Sequence, residues 1–195
     1  MTNFSVTKNG KKLDESLYVW DEETKTFRSS EPCLVLDFRC ICGVTFNIGY
    51  GCTFNTGSGC TFNTGSCCTF KTGSDCMFNT GPGCTFNTGS CCTFKTGPKC
   101  TFNTGSCCMF NTGSCCMFNT GPGCTFNTGY DCVVVRRDVF EVIVLKEQEN
   151  HIKLNSYSKS GYTHVEQKHK ITIDREDIEI SKDSFDSLKE YFKKL

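Results

Sequence analysis

From residue 36 to residue 132 the chain repeats an eight-residue unit close to Gly-Cys-Thr-Phe-Asn-Thr-Gly-Ser, with phenylalanine at every eighth position from Phe38 to Phe126. A unit this short cannot bury its apolar side chains alone and must stack on its copies, so the pattern predicts an all-β fold, a parallel β-solenoid or β-helix. Cysteine stands two residues before the phenylalanine site from Cys52 to Cys132. Threonine stands two residues after it from Thr56 to Thr128, and glycine follows each of these threonines, Gly57 to Gly129. Alternate residues of a strand share a face, so Cys, Phe and Thr point inward together while the positions of Thr53 and Asn55 point outward. The outward positions vary as a solvated face permits: Met77, Met109 and Met117 replace the first, Lys71 and Lys95 the second. Gly, then Ser or Pro, then a variable residue supply the corner, glycine for backbone angles closed to other residues and Pro82, Pro98 and Pro122 for stiffness.

Longer-range similarity bears on the size of a coil. Residues 59–82 match residues 83–106 at 20 of 24 positions, whereas residues 59–74 match 75–90 at 11 of 16. This predicts three-sided coils of 24 residues, with two-sided coils of 16 residues as the alternative and handedness open. On the three-sided reading Cys67, Cys91 and Cys115 form one column, Cys91 and Cys115 are surface neighbours, and Asp75 lies beneath Lys99. Twelve octads then make four coils, a rod on the order of 20 Å tall.

The flanks differ in composition and are expected to cap the rod. Residues 1–35 hold the hairpin signal Asn9-Gly10, the apolar Leu17-Tyr18-Val19-Trp20 and an acidic turn at Asp21-Glu22-Glu23, and predict an N-terminal β-hairpin cap. Residues 36–132 form the solenoid. Residues 133–195 predict a C-terminal β/α cap. Its strands are Val133–Val135, Val139–Leu145 and Ile152–Leu154, and its hairpin arms are Ile171-Thr172-Ile173 and Ile178-Glu179-Ile180. A helix capped within Ser181–Ser184 follows, with Phe185, Leu188, Phe192 and Leu195 on one face. Charged terminal elements are expected because an open solenoid end invites polymerisation.

Charge excludes several functions. The 21 basic and 21 acidic residues balance, and between residues 43 and 132 only Lys71, Asp75, Lys95, Lys99 and Asp131 are charged. A nucleic-acid partner needs a basic stripe and a duplex mimic needs an acidic face; the rod offers neither. The opening MTNFSVTKNGKK has no apolar segment of export-signal length and no apolar run is long enough to span a membrane, which predicts a cytoplasmic protein without a membrane partner. In that reducing compartment the 18 cysteines are expected to be packed free thiols.

Chemistry-bearing residues are sparse. Cys40-Ile41-Cys42 and the vicinal pairs Cys67-Cys68, Cys91-Cys92, Cys107-Cys108 and Cys115-Cys116 supply thiols, but neighbours on a strand face opposite ways and no CxxC knuckle occurs, so no metal site is expected. The turns lack the regular carboxylates of calcium-binding rolls. His151, His164 and His169 all lie in the C-terminal flank without a nucleophile motif, so no catalytic residue and no cofactor is assigned.

The octad run, Leu17-Tyr18-Val19-Trp20-Asp21 with Leu34-Val35-Leu36-Asp37-Phe38, the exit Val135-Arg136-Arg137-Asp138-Val139-Phe140-Glu141-Val142-Ile143 and the tail ITIDREDIEISKDSF carry a resemblance. Over nearly its whole length the chain resembles an uncharacterised family of Cys-x-Phe-x-Thr-Gly octapeptide-repeat proteins that recur in bacteriophage and bacterial genomes. The resemblance implies the solenoid architecture and no activity. One departure is local: Asp174-Arg175-Glu176-Asp177 stands where the tail hairpin of the family turns through Asp-Gly.

These readings together lead to a non-enzymatic, phage-type accessory protein. It is expected to bind a host or viral protein stoichiometrically, through a cap or a Thr/Asn/Met side, and to inhibit a host defence or regulatory protein in the host cytoplasm. A scaffold or virion component, oligomeric through the C-terminal cap, is the competing expectation. An ice-binding-like surface is a further alternative, interrupted by Met77, Met109, Met117, Lys71 and Lys95, and a thiol- or metal-binding solenoid is the last.

Overall fold

The computed structural model describes residues 4–147, 150–165, 168–173 and 176–193, with backbone alone at 168–173, 176–177 and 182–183. Each octad contributes one short strand, and consecutive strands alternate between two ten-stranded sheets. In the repeat, Phe70 pairs in parallel with Phe86 and Phe86 with Phe102 in the first sheet, while Phe78 pairs with Phe94 and Phe94 with Phe110 in the second. Hydrogen-bonded neighbours are therefore sixteen residues apart. The 24-residue coil expected from sequence similarity is corrected to sixteen, and seven parallel strands in each sheet make seven coils. The reason is that octads are chemically equivalent as strands: a three-octad similarity records which corner residues resemble one another, while the backbone ladder closes as soon as two strands have covered both faces of the core.

Those faces meet in a phenylalanine herringbone. Phe86 stacks on Phe70 and Phe102 at 4.9 and 4.8 Å with its ring within 3° of parallel, and meets Phe78 and Phe94 edge-on at 5.1 and 5.2 Å. Both are favoured arrangements of the ring quadrupole, and the stacking distance equals the spacing of hydrogen-bonded strands. Phe38 departs from this ladder. Leu36, not Phe38, lies opposite Phe54, and Phe38 lies opposite Thr56. Leu34, Leu36 and Phe38 thus fill the Cys, Phe and Thr slots of the first coil, and the eight-residue step from Phe38 to Phe46 spans a longer corner rather than a regular one. Parallel pairing also starts upstream of the octads, at Thr26, where Phe27 lies opposite Phe46.

The corners correct the reason given for glycine. Left-handed backbone falls on the variable residue before each inward cysteine, at Gly59, Cys67, Asp75, Gly83, Cys91, Lys99, Cys107, Cys115 and Gly123 alike. The glycine after threonine is required for space. A Cβ on Gly89 would lie 2.2 Å from Ser74 Oγ and 2.8 Å from Ser74 N; on Gly113 it would lie 2.7 Å from Pro98 N. Between corners the backbone ladder is unbroken, as in Cys91 N to Ser106 O at 3.0 Å, and serine hydroxyls add a second one, Ser90 N donating to Ser74 Oγ and Ser106 N to Ser90 Oγ at 3.1 Å.

Both ends of the parallel ladder close with antiparallel strands. At the start, Ser5–Lys8 pairs with Leu34–Phe38 and Val19–Asp21 with Thr26–Ser29, and Phe4 stacks on Phe38 at 4.3 Å. At the far end, Glu141–Leu145 pairs with Cys132–Arg136 and Asn150–Leu154 with Thr125–Thr128, so Val134, Ile143 and Ile152 succeed the phenylalanines. A separate hairpin, Lys168–Ile173 with Glu176–Ser181, precedes the helix Lys182–Phe192, which Ser181 caps by accepting from Ser184 N at 3.2 Å. The expected turn through Asp174 and Arg175, and Leu195 on the helix face, lie outside the described residues.

Two substitutions test this core. Phe86→Ala is expected to cost about 3–5 kcal/mol in urea unfolding, because it removes a ring from two stacks and two edge contacts at once. Gly89→Ala is expected to cost about 1–3 kcal/mol by driving a methyl into Ser74, whose backbone cannot move without breaking the next rung.

Candidate binding edge and thiol columns

Corner geometry divides the thiols into two sets. Cys68, Cys92, Cys108 and Cys116 are buried while their neighbours Cys67, Cys91, Cys107 and Cys115 are exposed, because each of the latter is the left-handed corner residue that precedes the strand. The inward thiols are satisfied by backbone carbonyls: Cys76 Sγ donates to Ser74 O at 3.4 Å and Cys100 Sγ to Gly97 O at 3.4 Å. Their sulfurs also accept, Cys68 N donating to Cys84 Sγ at 3.4 Å. Burial pushes the Cys52 thiol up to about 11. Cys84 and Cys116 are raised by the thiols above and below them. The same bonds lower Cys68, Cys100 and Cys132, so neighbouring thiols of the column shift in opposite directions. The inward threonines bond similarly, Thr72 Oγ1 donating to Gly73 O at 3.2 Å.

The exposed thiols are not arranged as the three-sided coil required. Cys67 and Cys115 lie on the corner that leads into the first sheet, with Lys99; Cys91 and Cys107 lie on the opposite corner, with Asp75. Cys91 is thus the neighbour of Cys107 rather than Cys115, and Asp75 and Lys99 are on different corners. No group of three or more His, Cys, Asp or Glu among the described residues could hold a metal ion. His151 lies in the strand opposite Asn127, His164 lies edge-on to Tyr162 at 5.5 Å, and the side chain of His169 is outside the described residues. An open cleft of about 450 Å³ lies near the start, lined by Leu17, Tyr18, Val19, Arg28 and Asn47 among others. It holds no pair of groups suited to acid–base chemistry.

Beyond the last octad, sequence reading missed a buried cation. Arg136 is wholly buried in the slot beside Thr120 and pairs with Asp138 at 2.7 Å. It also donates to the carbonyls of Lys159 at 2.6 Å, Gly161 at 3.3 Å and Ser156 at 3.4 Å, with Glu141 at 3.8 Å. Glu141 in turn accepts from Gly161 N at 2.9 Å. Burial opposes ionisation of Asp138, yet its bonds to Arg136 and Ser158 hold it below the usual carboxylate range. A buried charge this fully bonded is a clamp that fastens the 156–161 segment over the rod end. The signal was present, since Cys132, Val134 and Arg136 share the inward parity.

That clamp supports an exposed edge. Glu141–Leu145 is the last strand of the first sheet, with Ile143 and Leu145 buried and Val142 and Val144 exposed by 61% and 53%. Phe140, at the turn before it, is 93% exposed and left-handed at φ 53°. The outward row continues through Val133 to Met117. The other three ends of the two ten-stranded sheets are Lys11–Lys12, Val19–Asp21 and Tyr162–His164, each only two or three residues long, while the separate hairpin has two six-residue strands, Lys168–Ile173 and Glu176–Ser181, each paired on one side alone. The helix also exposes apolar residues, Leu188, Tyr191 and Phe192. No helix is long and apolar enough to cross a membrane among the described residues.

The raised Cys52 thiol predicts an alkaline limit. A thiol raised in the folded state contributes stability that is complete below its ordinary value of 9.0 and lost as pH rises through about 11, so urea midpoints under reducing conditions should fall across that window and Cys52→Ala should shrink the fall. No protein-family model, curated protein or solved structure matches the chain.

Proposed function

We propose that the chain is a non-catalytic binding protein that engages a partner protein stoichiometrically through the strand Glu141–Leu145. The observation that carries this reading is the contrast between this strand and the other three ends of the two ten-stranded sheets. It is five residues long, has valines on its outward face and belongs to the sheet on one side alone, so a partner strand can add to it and bury Val142 and Val144. Phe140 supports it: a left-handed backbone at a bulky residue costs energy, and here it holds an aromatic ring in solvent beside the edge. The long sides of the rod are neutral Thr and Asn rows, which suit a spacer. The resemblance to repeat proteins of phage genomes supports a host defence or regulatory protein as the partner and the host cytoplasm as the place of action.

A second reading rests on the helix. Leu188, Tyr191 and Phe192 on its exposed surface favour self-association, as a scaffold or virion component would need. Affinity capture from host lysate and light scattering on the purified chain separate the two. The first reading expects a monomer that retains one host protein, with retention falling at least tenfold in Val144→Lys. Retention unchanged by Val144→Lys overturns the edge as the site. A multimer dissociated by Leu188→Lys, or recovery with capsid or tail proteins, establishes the second reading instead.

A further inference from the structure

We propose that Cys91 and Cys107 are a redox-active pair that closes to a coil-to-coil disulfide at the rod surface. Both thiols are free and exposed, and both backbones are left-handed, at φ 59° and 58°. They occupy the same corner on consecutive coils: two residues further on, Thr93 pairs with Met109 and Phe94 with Phe110, whose rings lie 4.9 Å apart. Cα atoms one rung apart, about 4.8 Å, fall inside the range that a disulfide spans.

The direction of the side chains is read from the glycines of the same columns. A Cβ on Gly123 would lie 3.5 Å from Cys107 Sγ, and on the opposite corner a Cβ on Gly83 would lie 3.6 Å from Cys67 Sγ. A corner thiol therefore points at the Cβ position of the next coil. The next corner residue is glycine after Cys67, Asp131 after Cys115 and Gly123 after Cys107; after Cys91 it is Cys107. In a disulfide each sulfur lies about 3 Å from the partner Cβ. Closure needs Cys107 Sγ to turn back from Gly123, which has no side chain to obstruct it. The buried Cys92 and Cys108 one residue further on are also one rung apart, but they are sealed from solvent and bonded to carbonyls, so of these two pairs an external oxidant reaches the corner one.

The oxidant is a small disulfide such as oxidised glutathione. The Cys91 thiolate attacks one of its sulfurs, breaking that S–S bond and releasing one glutathione, which takes up the proton Cys91 lost. The Cys107 thiolate then attacks Cys91 Sγ of the mixed disulfide and releases the second glutathione with the second proton. The protein loses two electrons and two protons, and the glutathione disulfide gains them. The link fastens two coils that noncovalent rungs otherwise hold.

Native full-length chain treated with oxidised glutathione, alkylated without denaturation and fragmented for mass spectrometry tests this. The expected result is loss of two hydrogens, one cross-link between Cys91 and Cys107, a raised thermal midpoint and full reversal by dithiothreitol. Cys107→Gly, which fits a corner that already carries Gly59 and Gly123, should abolish the link and leave a glutathione adduct on Cys91; Cys115→Gly should leave the link intact. Alkylation or stable glutathione adducts at both Cys91 and Cys107, or a link confined to Cys40 and Cys42, overturns the proposal.

Discussion

Everything in this molecule depends on one coincidence of length: the spacing of hydrogen-bonded strands equals the spacing at which phenyl rings stack. A coil that advances by one strand repeats every inward atom at 4.8–4.9 Å, so ring lies on ring while ladder hydrogen bonds keep their geometry. Across the core the two columns interlock edge to face, which fixes the distance between the sheets. The thiols and threonines fill the margins beside the rings and turn their polar hydrogens to carbonyls of the corners. From Thr56 to Thr112 each inward threonine donates to the carbonyl of the glycine that follows it, as Thr88 does to Gly89; Thr120 and Thr128, in the last coils, have no such partner among the described residues.

Such a ladder has no intrinsic end, and the protein stops it by reversing strand direction. At both ends of both ten-stranded sheets an antiparallel strand replaces the next parallel rung; the start stays aromatic, with Phe4 and Trp20 against Phe38, while at the finish Val134, Ile143 and Ile152 replace the rings. The Arg136 clamp belongs to the finish. It occupies a threonine slot and binds the segment that folds over the rod, so it ends the repeat chemically as well as geometrically. The ends differ in how they are defended. In the two ten-stranded sheets three terminal strands are two or three residues long, and the fourth, Glu141–Leu145, carries valines outward.

Corner positions are where the repeat is free to vary. Their backbone is left-handed whether the residue is Gly, Cys, Asp or Lys, so the coil imposes the conformation and residue choice can serve other ends. Cysteine recurs at four of these positions in the octads, each beside a buried cysteine, and the coil length decides which of them meet. At 24 residues per coil Cys91 would face Cys115; at sixteen it faces Cys107, and the chemistry of the surface changes with that count alone.

The sequence by itself determined the octad, the parity that puts Cys, Phe and Thr inside, the neutrality of the sides, a helix start within Ser181–Ser184 and the parallel solenoid they build. These are properties of single strands and turns, legible because strand periodicity and close packing act within a few residues. The glycine after threonine was legible as a requirement but not for its reason, since a clash with Ser74 or Pro98 exists only once another coil is in place. Tertiary structure alone decided that coils contain sixteen residues, that Leu36 rather than Phe38 opens the ladder of the first sheet, that Arg136 is buried, and that Glu141–Leu145 ends the first sheet. Each depends on pairing between distant segments of nearly identical composition. Where all octads look alike to a hydrogen bond, only the closure of the backbone on itself can choose which octad lies on which.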